Sequence, residues 1–155
     1  MSTTTTPDPG RQVALQKIYL RDASLEIPAA PQVFTRDWKP EVDVQISTAV
    51  QGVGNDQHHV VLTVTVTAKL DKDVAFLAEV QQAGIFLIKG ISEEEKQRVL
   101  GAECPSILFP YAREAVSELV TRGGFPQLLL QPVNFEVLFR QHLARSGEPA
   151  TARAH

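Results

Sequence analysis

The chain has 155 residues, 43% hydrophobic and 6% aromatic, with a formal charge of -3 and a pI near 5.8. That length suits one domain with a real core. The mildly acidic balance argues against a nucleic-acid binder and against a protein drawn to an anionic membrane, since both need concentrated Lys and Arg.

A single cysteine, Cys104, excludes an internal disulfide framework and suits a reducing compartment. The opening "MSTTTTPDPGRQ" has neither a basic nor an apolar region of the kind a signal peptide carries. No apolar run approaches the roughly 20 residues of a membrane span. The expectation is a soluble cytoplasmic protein, with no direct membrane insertion. Residues 1–11 read as a disordered tail, 12–144 as the folded domain and 145–155 as a flexible tail.

Taken in order, Val13 to Glu26 is strand-like with imperfect alternation. Pro28, Pro31 and Pro40 then exclude helix and central strand, leaving an irregular crossover that holds Phe34 and Trp38. "EVDVQISTAV" alternates cleanly, with Val42, Val44, Ile46 and Val50 on one side, and reads as a half-buried strand. "GVGND" is a turn. "HHVVLTVTVTAKL" puts Val60, Leu62, Val64, Val66, Ala68 and Leu70 on one face. "DKD" turns the chain into a fourth strand, Val74–Ile88. Four strands joined in this way imply an antiparallel sheet.

Helices follow. "SEEEKQRVLG" has Ser92 as its N-cap, Glu95 as capping-box partner and Gly101 as its stop. "SILFPYAREAVSELVTRGG" is the main helix, ended by Gly123 and Gly124, with Pro110 in its first turn or kinking it. "PQLLLQPV" reads as an extended link, and "NFEVLFRQHLAR" as a last helix capped by Asn134. Strands before helices predict an α+β fold, a four-stranded antiparallel sheet with helices packed on one face. The uncovered face, with Thr63, Thr65 and Thr67, is only half polar. Ala78, Val80 and Gln82 share one side of the fourth strand and suit a flat contact between subunits.

Few residues offer chemistry. His58 and His59 read as solvated turn residues, because neighbours on a strand point apart and a metal needs three or four converging ligands. Cys104 lacks a placed base and reads as a small buried side chain. Asp22 and Glu26 share parity on the first strand, about 13 Å apart, and Leu77 and Glu79 share parity on the fourth strand. These could be a docking patch for a basic partner or ordinary solvation of an edge. Phe34 and Trp38 could pack on the core or wall a groove for an extended apolar peptide.

Together "IYLRDASLEIPAAPQVF", "DWKPEV", "LTVTVTA", "FLAEVQQAGIF", "CPSILFPYARE" and "RGGFPQLLLQPVNFEVLF" resemble the SecB family of protein-export chaperones, in the family's order from Lys17 to Phe139. The resemblance implies a homotetramer, a dimer of dimers. It implies an ATP-independent holdase, with no enzymatic activity, cofactor or metal, that keeps precursors unfolded and hands them to the SecA motor ATPase. Asp22, Glu26, Leu77 and Glu79 match a SecA-docking patch, and Ala78, Val80 and Gln82 a subunit interface. The client groove is implied at Phe34 and Trp38, at Val42, Val44 and Ile46, and at Phe135, Leu138 and Phe139. Some family members instead hold the antitoxin of a toxin–antitoxin pair, which is the alternative function.

Overall fold

A computed structural model describes residues 10–146. It contains four strands, β1 (Gln12–Glu26), β2 (Glu41–Gly54), β3 (Gln57–Leu70) and β4 (Asp73–Lys89). They form one antiparallel sheet in the order β1-β4-β3-β2, so the two edges are β1 and β2. Three helices follow, α1 (Glu93–Arg98), α2 (Cys104–Arg122) and α3 (Phe135–Ser146). The expected tails fall largely outside the described residues. Within them, α3 runs two residues past the expected boundary, and Arg11 pairs with Glu95 at 2.5 Å.

Local chemistry explains most boundaries. Asn55 and Asp56 both adopt positive φ (54° and 62°) between β2 and β3, which a tight hairpin turn requires. Ser92 Oγ accepts from the Glu95 N–H at 3.1 Å, and Asn134 Oδ1 accepts from the Val137 N–H at 3.1 Å. The crossover after β1 contains a short 3-10 turn, Gln32–Thr35.

Gly101 does not stop a helix, contrary to expectation. The chain stays helical through a wider π turn, Val99–Glu103, and runs directly into α2. Pro105 lacks the N–H that would close an α turn onto Gly101. The Cys104 N–H instead reaches back to the Val99 carbonyl, which gives the wider turn.

The long helix α2 lies over β4, β3 and β1. Its Leu108, Ala112, Val116 and Val120 are fully buried, one residue per turn along one stripe. At the point of closest approach β4 has Gly84. A Cβ there would sit 3.2 Å from Leu108 Cδ2 and 3.1 Å from the Lys17 carbonyl oxygen. The glycine in "QQAGIF" lets the helix settle on the sheet.

Two expectations need correction. The register pairs Leu62 with Gln82, Val64 with Val80 and Val66 with Ala78, so those β4 residues lie on the helix side. Ala78 and Val80 are 0% exposed and Gln82 is 5% exposed within the single chain. They form the seat of α2 and offer no open surface to a second subunit. The second correction concerns β2. It is an exposed edge, with Val42 at 42%, Val44 at 40% and Val50 at 43% exposure, and only Ile46 half-buried. Alternation was correct there, but the long helix does not extend over that strand to bury it.

Candidate functional site

Two surfaces lie on opposite sides of the sheet. The first is a groove on the helix side, between β2 and the π turn with α3. Ile46, Thr48 and Val50 form one wall, and Leu100, Leu138 and Phe139 form the facing one. The cavity is about 420 Å³ and is predominantly apolar, with Gln97 and His142 at its polar margin.

Gly101 is what lets the groove close at its base. A Cβ on Gly101 would sit 2.5 Å from Phe139 Cδ2, so the Phe139 ring rests directly on the π turn. Phe135 is nearly fully buried and packs edge-on against Phe109, with ring centres 5.7 Å apart. It anchors α3 as well as contributing to the lining. Arg98 holds the same helix through Glu136 at 2.6 Å and also reaches Glu103 at 3.4 Å. Leu138, at 44% exposure, projects into the opening.

The remaining expected groove residues, Phe34, Trp38, Val42 and Val44, do not line this cavity. Val42 and Val44 share the helix-side parity of Ile46, opposite Ala68 and Val66 of β3. From Val42 to Val50 the strand covers about 27 Å. Before its start in the chain, Phe34 and Trp38 pack in tilted fashion on Phe125 with ring centres 5.1 and 5.0 Å away, and Trp38 stacks 6.3 Å from Phe76. Phe34 is nevertheless half exposed. Both residues therefore pack on the core while leaving an aromatic surface at the strand's entrance. A second depression, across Phe139 from the first, is rimmed by Glu94, Glu95 and Glu136. Hydrogen bonding from Arg11 lowers the Glu95 carboxyl below its ordinary value, against an opposing effect of desolvation.

The second surface is the helix-free face. Its register places Glu26 opposite Leu77, Ser24 opposite Glu79 and Asp22 opposite Gln81. The four expected docking residues therefore share one face, with Glu79 diagonal to both β1 carboxylates, about 7–8 Å from each. Glu79 accepts a hydrogen bond from Thr65 Oγ1 at 2.8 Å, which orients its carboxylate. Arg21, displaced by a register irregularity between Leu20 and Asp22, donates to Gln81 Oε1 at 3.0 Å beside the patch. Leu77 and Glu79 are half-buried, while Asp22 and Glu26 are exposed. A basic, partly extended segment fits such a surface: three carboxylates around one leucine.

The groove residues missed by sequence reasoning were Ser47, Thr48, Val50, Gln97, Leu100, Gly101 and His142. Only the parity of Thr48 and Val50 with Ile46 could have suggested any of them. Of the residues considered for chemistry, Cys104 is buried and its thiol is pushed up to about 12, chiefly by burial and then by Glu103. It is no nucleophile at neutral pH. Neither His58 nor His59 is a solvated turn residue: both lie half-buried in β3, where His59 Nε2 meets Tyr19 Oη at 2.5 Å. Among the described residues no group of three His, Cys, Asp or Glu side chains could hold a metal, and no helix is long and apolar enough to cross a membrane.

Comparison with known proteins gives a consistent picture. The family model described as preprotein translocase subunit SecB matches residues 6–146. The protein-export protein SecB of Azotobacter vinelandii is 56% identical over 135 residues, spanning 86% of this chain and 83% of its own. That of Psychrobacter cryohalolentis is 55% identical over 143 residues, spanning 92% and 95%. A solved SecB-like chaperone of Mycobacterium tuberculosis, in complex with a ChAD peptide from the HigA1 antitoxin, superposes with a TM-score of 0.65. It covers 78% of this chain and 90% of its own at 20% identity, a likeness of fold.

Proposed function

The chain belongs to the SecB family and is a protein-export chaperone, and from that premise we propose how its two surfaces divide the work. The groove between β2 and α3 holds apolar segments of unfolded precursors, without ATP and with no catalytic step. The helix-free patch of Asp22, Glu26, Leu77 and Glu79 docks the SecA motor ATPase, which receives the precursor. The protein acts in the cytoplasm as a homotetramer, a dimer of dimers.

The observation that carries this reading is the separation of the two surfaces by the sheet itself. An apolar groove on one side is chemically suited to sequence-tolerant capture, and a carboxylate cluster on the other to a basic partner. A client can remain in the groove while the motor engages the opposite face. The peptide held by the mycobacterial SecB-like chaperone is in keeping with polypeptide clients. Antitoxin holding has only that fold likeness in its favour, whereas relatives above 50% identity are named as export proteins.

In this reading Ala78, Val80 and Gln82 affect assembly indirectly. They set the height and angle of α2, whose outer side carries the exposed Tyr111 and the half-buried Ala115 and Leu119. The test of function is calorimetric titration with a precursor in its unfolded and folded forms. Binding of the unfolded form with a negative heat-capacity change is expected. Equal affinity for the folded form would refute the holdase reading.

A further inference from the structure

The imperfect alternation of β1 has a structural cause. Its helix-side residues are Val13 and Leu15, then Ile18 and Leu20, then Leu25, opposite Ile88, Phe86, Gly84, Gln82 and Ala78 of β4. The steps from Leu15 to Ile18 and from Leu20 to Leu25 are odd, and a regular strand cannot keep one face across an odd step. The register takes up an extra residue at each break, the second of them being Arg21 between Leu20 and Asp22.

That second bulge decides where the docking carboxylates point. After it, Leu25 is back in the helix layer, where its Cδ2 would lie 2.7 Å from a Cβ on Gly123, and Asp22 and Glu26 turn to the helix-free face. If β1 ran on from Leu20 with Arg21 taken into the pairing, Arg21 would stand opposite Gln81 and Asp22 opposite Val80. Both carboxylates would then be driven against α2.

Two adjacent glutamines of β4 grip the bulge from opposite faces. Gln82 Nε2 donates to the Tyr19 carbonyl at 3.0 Å on the helix side. Gln81 Oε1 accepts from Arg21 Nη1 at 3.0 Å on the other. Gln82 is 5% exposed, an amide set among Ala78, Val80 and Phe86 in an otherwise apolar row. A buried amide is costly without a partner, and the partner it has is the backbone leading into the bulge. We propose that Gln81 and Gln82 are positioning residues for motor docking: they hold the bulge at Arg21 and so aim Asp22 and Glu26 at the partner. The proposal rests on the docking patch proposed above. Gln82 lies on the far side of the sheet from that patch and acts only through β1.

The variant is Gln82→Met, which roughly keeps the side-chain length and removes the amide donor. Titration of the full chain against SecA should show affinity lowered about fivefold, the factor that one net hydrogen bond is worth. The decisive control deletes Arg21. Leu20 and Asp22 then become neighbours and meet Gln82 and Gln81 as a regular strand, with the carboxylates on the same face as before. Adding Gln82→Met to the deletion should leave SecA affinity where the deletion alone puts it. An equal loss in both backgrounds would mean that Gln82 acts through the core, and would overturn the proposal. Hydrogen exchange gives a readout independent of whether the deletion folds. Amides of Asp22–Glu26 should exchange faster in Gln82→Met, while those of Val13–Ile18 keep the parent's rates; no change, or a uniform one, would overturn the proposal. Glu79→Lys is titrated beside these. If it bound SecA as the parent does, the docking patch itself would be misplaced and the proposal would fall with it. If it were weakened and Gln82→Met were not, the positioning role alone would be refuted.

Discussion

Replacing Glu79 with lysine puts the docking patch under the most direct strain. Glu79 lies between Glu26 and Asp22 on the helix-free face, and its carboxylate is oriented by Thr65. A unit charge about 4 Å from a cation contributes about 1 kcal/mol in water and about 4 at the effective dielectric of a protein surface. Using the lower figure, reversal removes about 1 kcal/mol of attraction and adds as much repulsion. The total of about 2 kcal/mol corresponds to a roughly thirtyfold loss of SecA affinity. Losing the Thr65 hydrogen bond costs the fold only about 1 kcal/mol, so the variant stays folded. The assay is titration of Glu79→Lys and the parent against SecA at low and high salt. Screening shortens from about 10 Å at 0.1 M to about 3 Å at 1 M, so the difference should shrink severalfold. Asp22→Ala and Glu26→Ala should each cost about 1 kcal/mol or less. Unchanged affinity of Glu79→Lys at low salt would refute the placement of the patch.

Val80→Ala should lower stability to urea by about 2 kcal/mol, because it removes buried methyl groups beneath α2; an unchanged midpoint would contradict the assignment of Val80 to the core. Gly101→Ala should move the Phe139 ring off the π turn and alter client affinity while SecA affinity stays unchanged; identical client titrations for the two proteins would refute the close approach. Cys104 should resist iodoacetamide at pH 8 in the folded protein and react on unfolding. Its thiol ionises near 9.0 when unfolded and near 12 when folded. Its contribution to stability is therefore full below pH 9 and lost as pH rises through 12, a slope that Cys104→Ala should lack.

Sequence patterning recovers the parts of this molecule that local chemistry decides. The alternation of β3 from Val60 to Leu70 identifies a strand and its buried side, and Ser92 and Asn134 announce their helices through side-chain caps. Asp22 and Glu26 share a face by parity alone. Their meeting with Leu77 and Glu79 requires the β1–β4 register, a long-range property. Parity also divides a strand into two faces without saying which one a helix will cover. That is why Ala78, Val80 and Gln82 read as a contact surface and prove to lie under α2. The alternation of β2 looked half-buried for the same reason. Gly101 resembled a helix stop, because nothing nearby announces that Phe139, far along the chain, needs the space.

The central claim is that apolar segments of unfolded precursors occupy the groove beside β2 and α3. Its most direct test is the refolding rate of a precursor diluted from urea, followed by fluorescence with one equivalent of chaperone present. The parent and Glu79→Lys should both arrest refolding. Leu138→Asp, which places a charge at the exposed mouth of the groove, should release it. Refolding at the unassisted rate with the parent protein, or equal arrest by Leu138→Asp, would contradict the claim.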